Sequence, residues 1–374
     1  MYSITKNNRI DAFHTIITAI DPKQPVCILY DDDADGMCSA VSLYTLLQRK
    51  GFTTIHTYAK FSERHFFSLT FIEELARKGI STVFCVDFEP LSWKMITRSQ
   101  LQTLPFTCVI IDHHFDMTDE YQSIQSSSNI LYLHPKNCSN CDNPSQYCCS
   151  KFVFDICSLF EDLSDIEWKI IPGMIGDMNI LQWPQYIRDV AKKYSHPIDT
   201  KPESFFQSPF GQFSRITAFS AKKGFEHFEA CFQSYLHCSS VEEMLSLGSD
   251  FEKEKQTVDY FLQQWRDHVE FTDKRFFIIH LPDDTGMTSL LSSIISYFEQ
   301  DKVFVFYQFN TEQQAYHISL RSQKTSIHLG EIAQSIAFKL TDANGGGHKP
   351  AAGLLCQKND IQKCITLLKE AFTE

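Results

Sequence analysis

Val26-Cys27-Ile28-Leu29-Tyr30-Asp31-Asp32-Asp33-Ala34-Asp35-Gly36 decides the fold: a short apolar run, then four carboxylates within five residues. An unbroken apolar run of this length, bounded by polar residues, reads as a strand buried on both faces, the habit of parallel sheets. The acids then stand at the carboxyl edge of that sheet, where open α/β folds bind ligands. Four such groups repel one another, and a fold tolerates the crowding when the acids are solvated or neutralised by cations. A hard divalent metal is the natural counter-charge.

Working outward, the first half alternates apolar runs with amphipathic stretches of helical length, the pattern of repeated βα units. Strands are predicted at Val26–Tyr30, Thr53–Tyr58, Thr82–Val86, Thr107–Ile111 and Ile130–Leu133, with helices at Met37–Arg49, Leu69–Lys78 and Leu91–Leu101 between them. From Trp183 to Lys223 the periodicity weakens and Pro, Ser and Lys accumulate, which reads as connection. A long helix is predicted over Val241–Phe271. Alternation returns at Phe276–His280, Val303–Phe309 and Tyr316–Leu320, followed by helices at Leu329–Leu340 and Ile361–Phe372. The expected architecture is α/β: a parallel-sheet domain at 1–183, a helical connection at 184–271, and a smaller α/β domain at 272–374, with the active site in the cleft.

A chain of 374 residues with 43% hydrophobic content can bury a core in each of two domains. The stretch Met1 to Asp21 is mixed polar, and no window approaches the roughly 20 apolar residues of a membrane span. Thirteen cysteines, several inside apolar runs, read as buried reduced thiols, so a soluble cytoplasmic protein is expected. The net charge of −12 argues against a wide basic surface gripping long DNA by its phosphates. A small substrate or a locally basic cleft fits better.

Three further strand or segment ends add acids and imidazoles: Asp87 after the third predicted strand, Asp112-His113-His114 after the fourth, and Asp177 after Ile175-Gly176. A paired histidine is a weak signal alone, but here it leaves a core strand at the ligand edge. Asp31, Asp33, Asp35 and Gly36 also match the start of an EF-hand loop. Position twelve would then be Ser42 instead of Glu, and a strand precedes the loop where an EF-hand has a helix. A solvated acidic turn remains the bland alternative for the first cluster. The whole set has enough oxygen and nitrogen ligands for two ions, an arrangement suited to phosphodiester hydrolysis because bound metal lowers the pKa of water and offsets charge on the phosphate.

These motifs resemble those of the DHH phosphoesterases, a family that includes RecJ exonucleases, nanoRNases of the NrnA type, cyclic-dinucleotide-product hydrolases and family II inorganic pyrophosphatases. Asp112-His113-His114 is similar to the family's signature, and Asp31-x-Asp33-Ala34-Asp35-Gly36, Asp87 and Gly176-Asp177 to its other motifs. The resemblance implies that Asp33, Asp35, Asp87, His113 and Asp177 bind metal, with Asp87 bridging. Asp31 would support the first site, Asp112 would orient the pair, and His114 would contact metal or phosphate, Asp112, His113 and His114 forming the catalytic group.

Asn344-Gly345-Gly346-Gly347-His348 resembles the GGGH motif of the DHH-associated domain. An isolated glycine run is often an ordinary loop, but glycines also let backbone amides approach an anion closely, and His348 can add a donor. The resemblance places substrate on Gly345, Gly346, Gly347 and His348, with Arg321 holding phosphate as a bidentate partner. It implies two Mn²⁺ ions, with Mg²⁺ as the other candidate, and short single-stranded RNA or DNA oligonucleotides or dinucleotides as substrate. A RecJ-like exonuclease on single-stranded DNA, a 3′-phosphoadenosine phosphate phosphatase, a polyphosphatase and an inactive replication-complex scaffold are the alternatives. A homodimer is allowed by all of these. Cys138, Cys141, Cys148 and Cys149 have spacings that would suit zinc, although Cys149 and Cys157 also fit the apolar face of a helix over Gln146–Phe160.

Overall fold

The parallel sheet forms because its central strands are buried on both faces. In the computed structural model, which describes residues 2–61, 65–114, 116–125, 129–323, 326–347 and 349–373, the strands β1 (Val26–Tyr30), β2 (Ile55–Ala59), β3 (Thr82–Val86), β4 (Thr107–Ile111) and β5 (Ile130–Leu133) lie in the order β2-β1-β3-β4-β5, all parallel. One face of this sheet (Cys27, Leu29, Val83, Cys85, Cys108, Ile110, Tyr132) closes over Phe66, Phe67, Leu75, Phe88 and Leu101. On the other face Phe84 meets Phe13 of helix Asn8–Ala19, and Tyr30 packs 4.6 Å from Phe232 of helix Phe225–His237. With this strand order the chain runs from β1 outward in both directions, so a crevice opens between the carboxyl ends of β1 and β3. The acids following those two strands flank it.

The chain divides into two compact units, Met1–Asp250 and Phe251–Glu374. In the second unit, β6 (Val269–Thr272), β7 (Phe276–His280), β8 (Val303–Asn310), β9 (Ala315–Arg321), β10 (Asn344–Gly347) and β11 (Ala351–Gln357) form a sheet in the order β10-β11-β9-β8-β7-β6. Only β7 and β8 pair in parallel, around the crossover helix Thr288–Ile295; the remaining pairs are antiparallel. Among the described residues, no helix is long and apolar enough to cross a membrane.

Several elements differ from the sequence reading. The second strand is Ile55–Ala59, not Thr53–Tyr58, because the parallel register starts at Val26 opposite Ile55 while Thr53 and Thr54 bond to the chain entering β1. The helix read as Met37–Arg49 starts at Ala34, since the Asp33 carboxylate accepts from Gly36 N and caps it. Leu91–Leu101 is not one helix: buried Glu89 takes the N–H groups of Leu91 and Ser92, Lys94 has a left-handed backbone, and a Thr97–Gln100 capping box starts a helix only at Arg98–Gln102. Residues 184–223, read as connection, are helical over Pro184–Lys193, Pro202–Gln207 and Pro209–Lys222 and bury Phe205, Phe206, Phe210, Phe213 and Phe219 in the first unit. Proline at the first turn of each of these helices is a start signal, not a breaker. The helix read over Val241–Phe271 is split into Val241–Ser246 and Glu252–Gln264, and it ends in β6, where Val269 and Phe271 alternate with exposed Glu270 and Thr272 to pair with β7.

The glycine motif is also strand, not loop: Gly345, Gly346 and Gly347 pair with Leu354, Gly353 and Ala352 of β11. A Cβ on Gly345 would sit 2.5 Å from Ala333 O in helix Leu329–Phe338, whereas one on Gly346 would meet nothing within 4 Å. Gly345→Ala is therefore expected to cost about 1–3 kcal/mol by forcing that helix from the sheet, and Gly346→Ala less than about 0.5 kcal/mol. Urea midpoints of the two variants test this; equal losses would contradict the packing role given to Gly345.

Candidate metal centre

Helix Ala34–Arg49 starts immediately beyond β1, which puts Asp33 at its cap and Asp35 in its first turn. The start is tight, because a Cβ on Gly36 would sit 2.5 Å from Asp31 O. Glycine is thus the residue that lets the helix turn back over the end of the strand. Asp35 is buried, and its two oxygens accept from Cys149 N (2.7 Å) and Ser150 N (2.9 Å), the first N–H groups of helix Cys149–Ser158. A negative charge at a helix N-terminus is stabilised by those amides and by the helix dipole.

Asp87 follows β3 with φ of 67°, a left-handed backbone uncommon for a residue with a side chain. Its N–H still bonds Ile111 O, so the bend turns the carboxylate without breaking the sheet. Beyond β4, Asp112 accepts from His114 N (3.2 Å) and holds His114 Nδ1 at 2.8 Å. His113 lies with Nε2 at 3.5 Å from Asp87 Oδ1, 3.7 Å from Asp35 Oδ2 and 4.0 Å from Asp177 Oδ1. Asp177, at the end of helix Ile171–Gly176, accepts from Asn179 Nδ2 at 2.6 Å.

Ligand atoms of Asp87, His113 and His114 lie within 4.8 Å of one another, as do those of Asp35, Cys148 and Asp177. Asp87 Oδ1 and both ring nitrogens of His113 are buried without a hydrogen-bond partner. An unsatisfied buried polar atom costs about 1–3 kcal/mol, and here an acceptor and an imidazole share the deficit at ligand spacing. Divalent cations would satisfy them together, so the residues present fit a metal pair.

Electrostatics agree. Burial, then the charges of Asp35 and Asp33, hold the Asp87 carboxyl well above the ordinary range, and burial with Asp35 does the same to Asp177. Desolvation, with Asp31 and Asp35 close by, pushes Asp33 up to about 6. Burial and the neighbouring His114 pull His113 down to about 4, leaving it neutral and able to ligate. Burial opposes protonation of His114, but its bond to Asp112 prevails and lifts it to about 9.

Asp35, Asp87, His113, His114 and Asp177 thus converge, and Asp33, capping the helix at Gly36 N, is close enough for its charge to act on Asp87 and Asp177. Asp31 stands aside: it pairs with Lys60 Nζ at 2.7 Å, and that ammonium lies over the Trp93 ring. Arg321, at the end of β9 in the second unit, donates to Ser293 Oγ and Ser289 Oγ (both 3.1 Å) and lines a cavity of about 560 Å³ with Gly345, Gly346 and Gly353. Gly347 forms the end of β10, and His348 lies outside the described residues.

The four cysteines read as a zinc set do not gather. Cys138 donates to Asn137, Cys141 to Asn143 O and Cys149 to Ile111 O, close to Asp87, while Cys148 alone of the four shares a ligand-spaced group with acids, Asp35 and Asp177. The helix there starts at Cys149 rather than Gln146, so its first amides, not its thiols, serve the site. Lys60, Asn179 and the Cys149–Ser150 amides were missed in the sequence reading. Lys60 follows β2 directly and stands at the same sheet edge, a signal hidden by the misplaced strand end.

The DHH family N-terminal domain model matches residues 25–177, and the DHHA1 domain model residues 279–374. No curated protein matches the sequence. Among solved structures, the chain is similar to the DHH domain of a member of a ribosomal-protein family (TM-score 0.68, 16% identity, 98% of this chain and 92% of that one). It is also similar to RecJ from Thermus thermophilus in complex with Mn²⁺ (0.60, 14%, 99% and 55%) and to a pGpG-specific phosphodiesterase from Vibrio cholerae (0.52, 12%, 93% and 99%). At such identities the likeness is one of fold.

Carboxyls with raised pKa keep protons in the metal-free fold above the unfolded value near 4. Metal-free stability should therefore fall as pH rises through about 6, while Mn²⁺ affinity climbs over the same window as bound protons are displaced. Urea unfolding of the metal-free protein across this pH range measures the first, and calorimetric titrations in buffers of different ionisation enthalpy measure the second; affinity unchanged from about pH 5 to about pH 7.5 with no proton release would contradict this electrostatic picture.

Proposed function

The chain belongs to the DHH family, with a DHHA1 domain in its C-terminal part, and on that premise we propose that it is a two-metal-ion phosphodiesterase that hydrolyses short single-stranded oligonucleotides to mononucleotides. The observation that carries this reading is the orphaned pair Asp87 Oδ1 and His113 Nε2, 3.5 Å apart and ringed by Asp35 and Asp177. Asp33, Asp35, Asp87, His113 and Asp177 hold the ions, Mn²⁺ in the first place and Mg²⁺ as the alternative, with Asp31 supporting through its pair with Lys60. Bound divalent ions supply an acidified water and offset charge on the phosphate oxygens.

The remaining work falls to side chains. Asp112 fixes His114 through Nδ1, which leaves its other nitrogen as a donor to a substrate phosphate. Arg321, steadied by Ser289 and Ser293, has the forked geometry for phosphate, and its cavity of about 560 Å³ falls within the range of small-ligand sites. Gly345 and Gly346 line the same cavity and Gly347 ends the strand beside it; His348, assigned to substrate with them by the family resemblance, lies outside the described residues. The net charge of −12 favours a short substrate over long nucleic acid. The free, buried cysteines favour a reducing cytosol.

With Mn²⁺ and end-labelled RNA and DNA oligomers of two to thirty nucleotides, the shortest should disappear fastest, and Asp87→Ala should lower the rate at least about 100-fold. Preference for long single-stranded DNA would shift the reading to a RecJ-like exonuclease. Release of phosphate from 3′-phosphoadenosine phosphate alone would shift it to a phosphatase, and no cleavage by metal-loaded protein would leave a scaffold.

A further inference from the structure

Cys148 occupies a position that none of the roles above requires. It directly precedes helix Cys149–Ser158, the helix whose first amides hold Asp35, so its side chain is set beside that carboxylate by the same turn. Its own N–H donates to Asn179 Oδ1 at 3.3 Å, while Asn179 Nδ2 donates to Asp177 Oδ2 at 2.6 Å. One asparagine therefore fixes both the cysteine backbone and the neighbouring acid. The thiol is fully buried, and a sulfur-to-Ser150 hydroxyl contact of 3.6 Å is a weak use of it. Sγ lies within 4.8 Å of ligand oxygens of Asp35 and Asp177, and the unpartnered Nε2 of His113 lies 3.7 and 4.0 Å from oxygens of those two residues.

We propose that Cys148 is a thiolate ligand of the ion held by Asp35 and Asp177, and that this sulfur biases the centre toward borderline transition ions such as Co²⁺ or Zn²⁺ and against Mg²⁺. The proposal rests on the metal-centre reading above and adds a ligand to it. On binding, the metal–sulfur bond forms with the sulfur lone pair and the thiol proton leaves to solvent; nothing is oxidised or reduced. Sulfur suits borderline and soft cations, whereas Mg²⁺ demands oxygen ligands in near-octahedral order. Cys149 provides an internal comparison, because its Sγ is turned to Ile111 O in the core.

The test is stoichiometric Co²⁺ added to metal-free protein. Wild type and Cys149→Ser should show a near-ultraviolet sulfur-to-cobalt charge-transfer band, and Cys148→Ser should lack it while keeping the visible d–d bands of bound cobalt. The ratio of Co²⁺ to Mg²⁺ affinity should fall at least about 10-fold in Cys148→Ser. Cobalt bound to wild type without the band, or a band unchanged in Cys148→Ser, would overturn the thiolate ligand and leave the phosphodiesterase reading intact. No cobalt binding at all would overturn both. Should the serine variant not fold, X-ray absorption on the wild-type cobalt protein decides the matter, since a sulfur shell supports the ligand and its absence refutes it.

Discussion

Two backbone amides holding one carboxylate organise the N-terminal unit. Asp35 belongs to the helix after β1, yet its oxygens are bound by Cys149 and Ser150 at the start of a helix more than a hundred residues later. A buried charge without such donors would be strongly unfavourable, and a helix start without an acceptor would leave amides unmet. Each element supplies what the other lacks. The contact locks two helices together beside the sheet edge and leaves the same carboxylate 3.7 Å from His113.

The acids around that lock are graded by their surroundings. Asp31 is paired with Lys60, Asp35 with amides, Asp112 with His114 and Asp177 with Asn179, whereas Asp87 keeps an oxygen unmatched on a strained backbone. Strain and an unsatisfied atom at one residue, in a molecule where similar neighbours are satisfied, are the physical marks of a site built to bind something. It stands at the carboxyl edge of the sheet, by the crevice between β1 and β3.

In the second unit, the glycines divide their work by direction. Gly345 turns toward helix Leu329–Phe338 and permits close packing, whereas Gly346 and Gly353 border open space beside Arg321. Backbone without side chains on a sheet face makes a smooth floor next to a guanidinium held by two serine hydroxyls. A run of identical residues thus serves a structural need at one position and a cavity at the next.

By itself the sequence determined the parallel sheet and the residues at its edge. β1, β3, β4 and β5 fall where their apolar runs begin and end, because strands buried on both faces carry that record locally, and Asp33, Asp35, Asp87, His113, His114 and Asp177 follow from standing just past strand or helix ends. Tertiary structure decided what depends on partners distant in the chain. It assigned Lys60 to Asp31, gave the amides of Cys149 and Ser150 to Asp35, folded residues 184–223 into the first unit, and separated Cys148 from the cysteines around it. Periodicity reports which face of an element is buried; which groups meet across the fold is set by packing, and no local pattern encodes it.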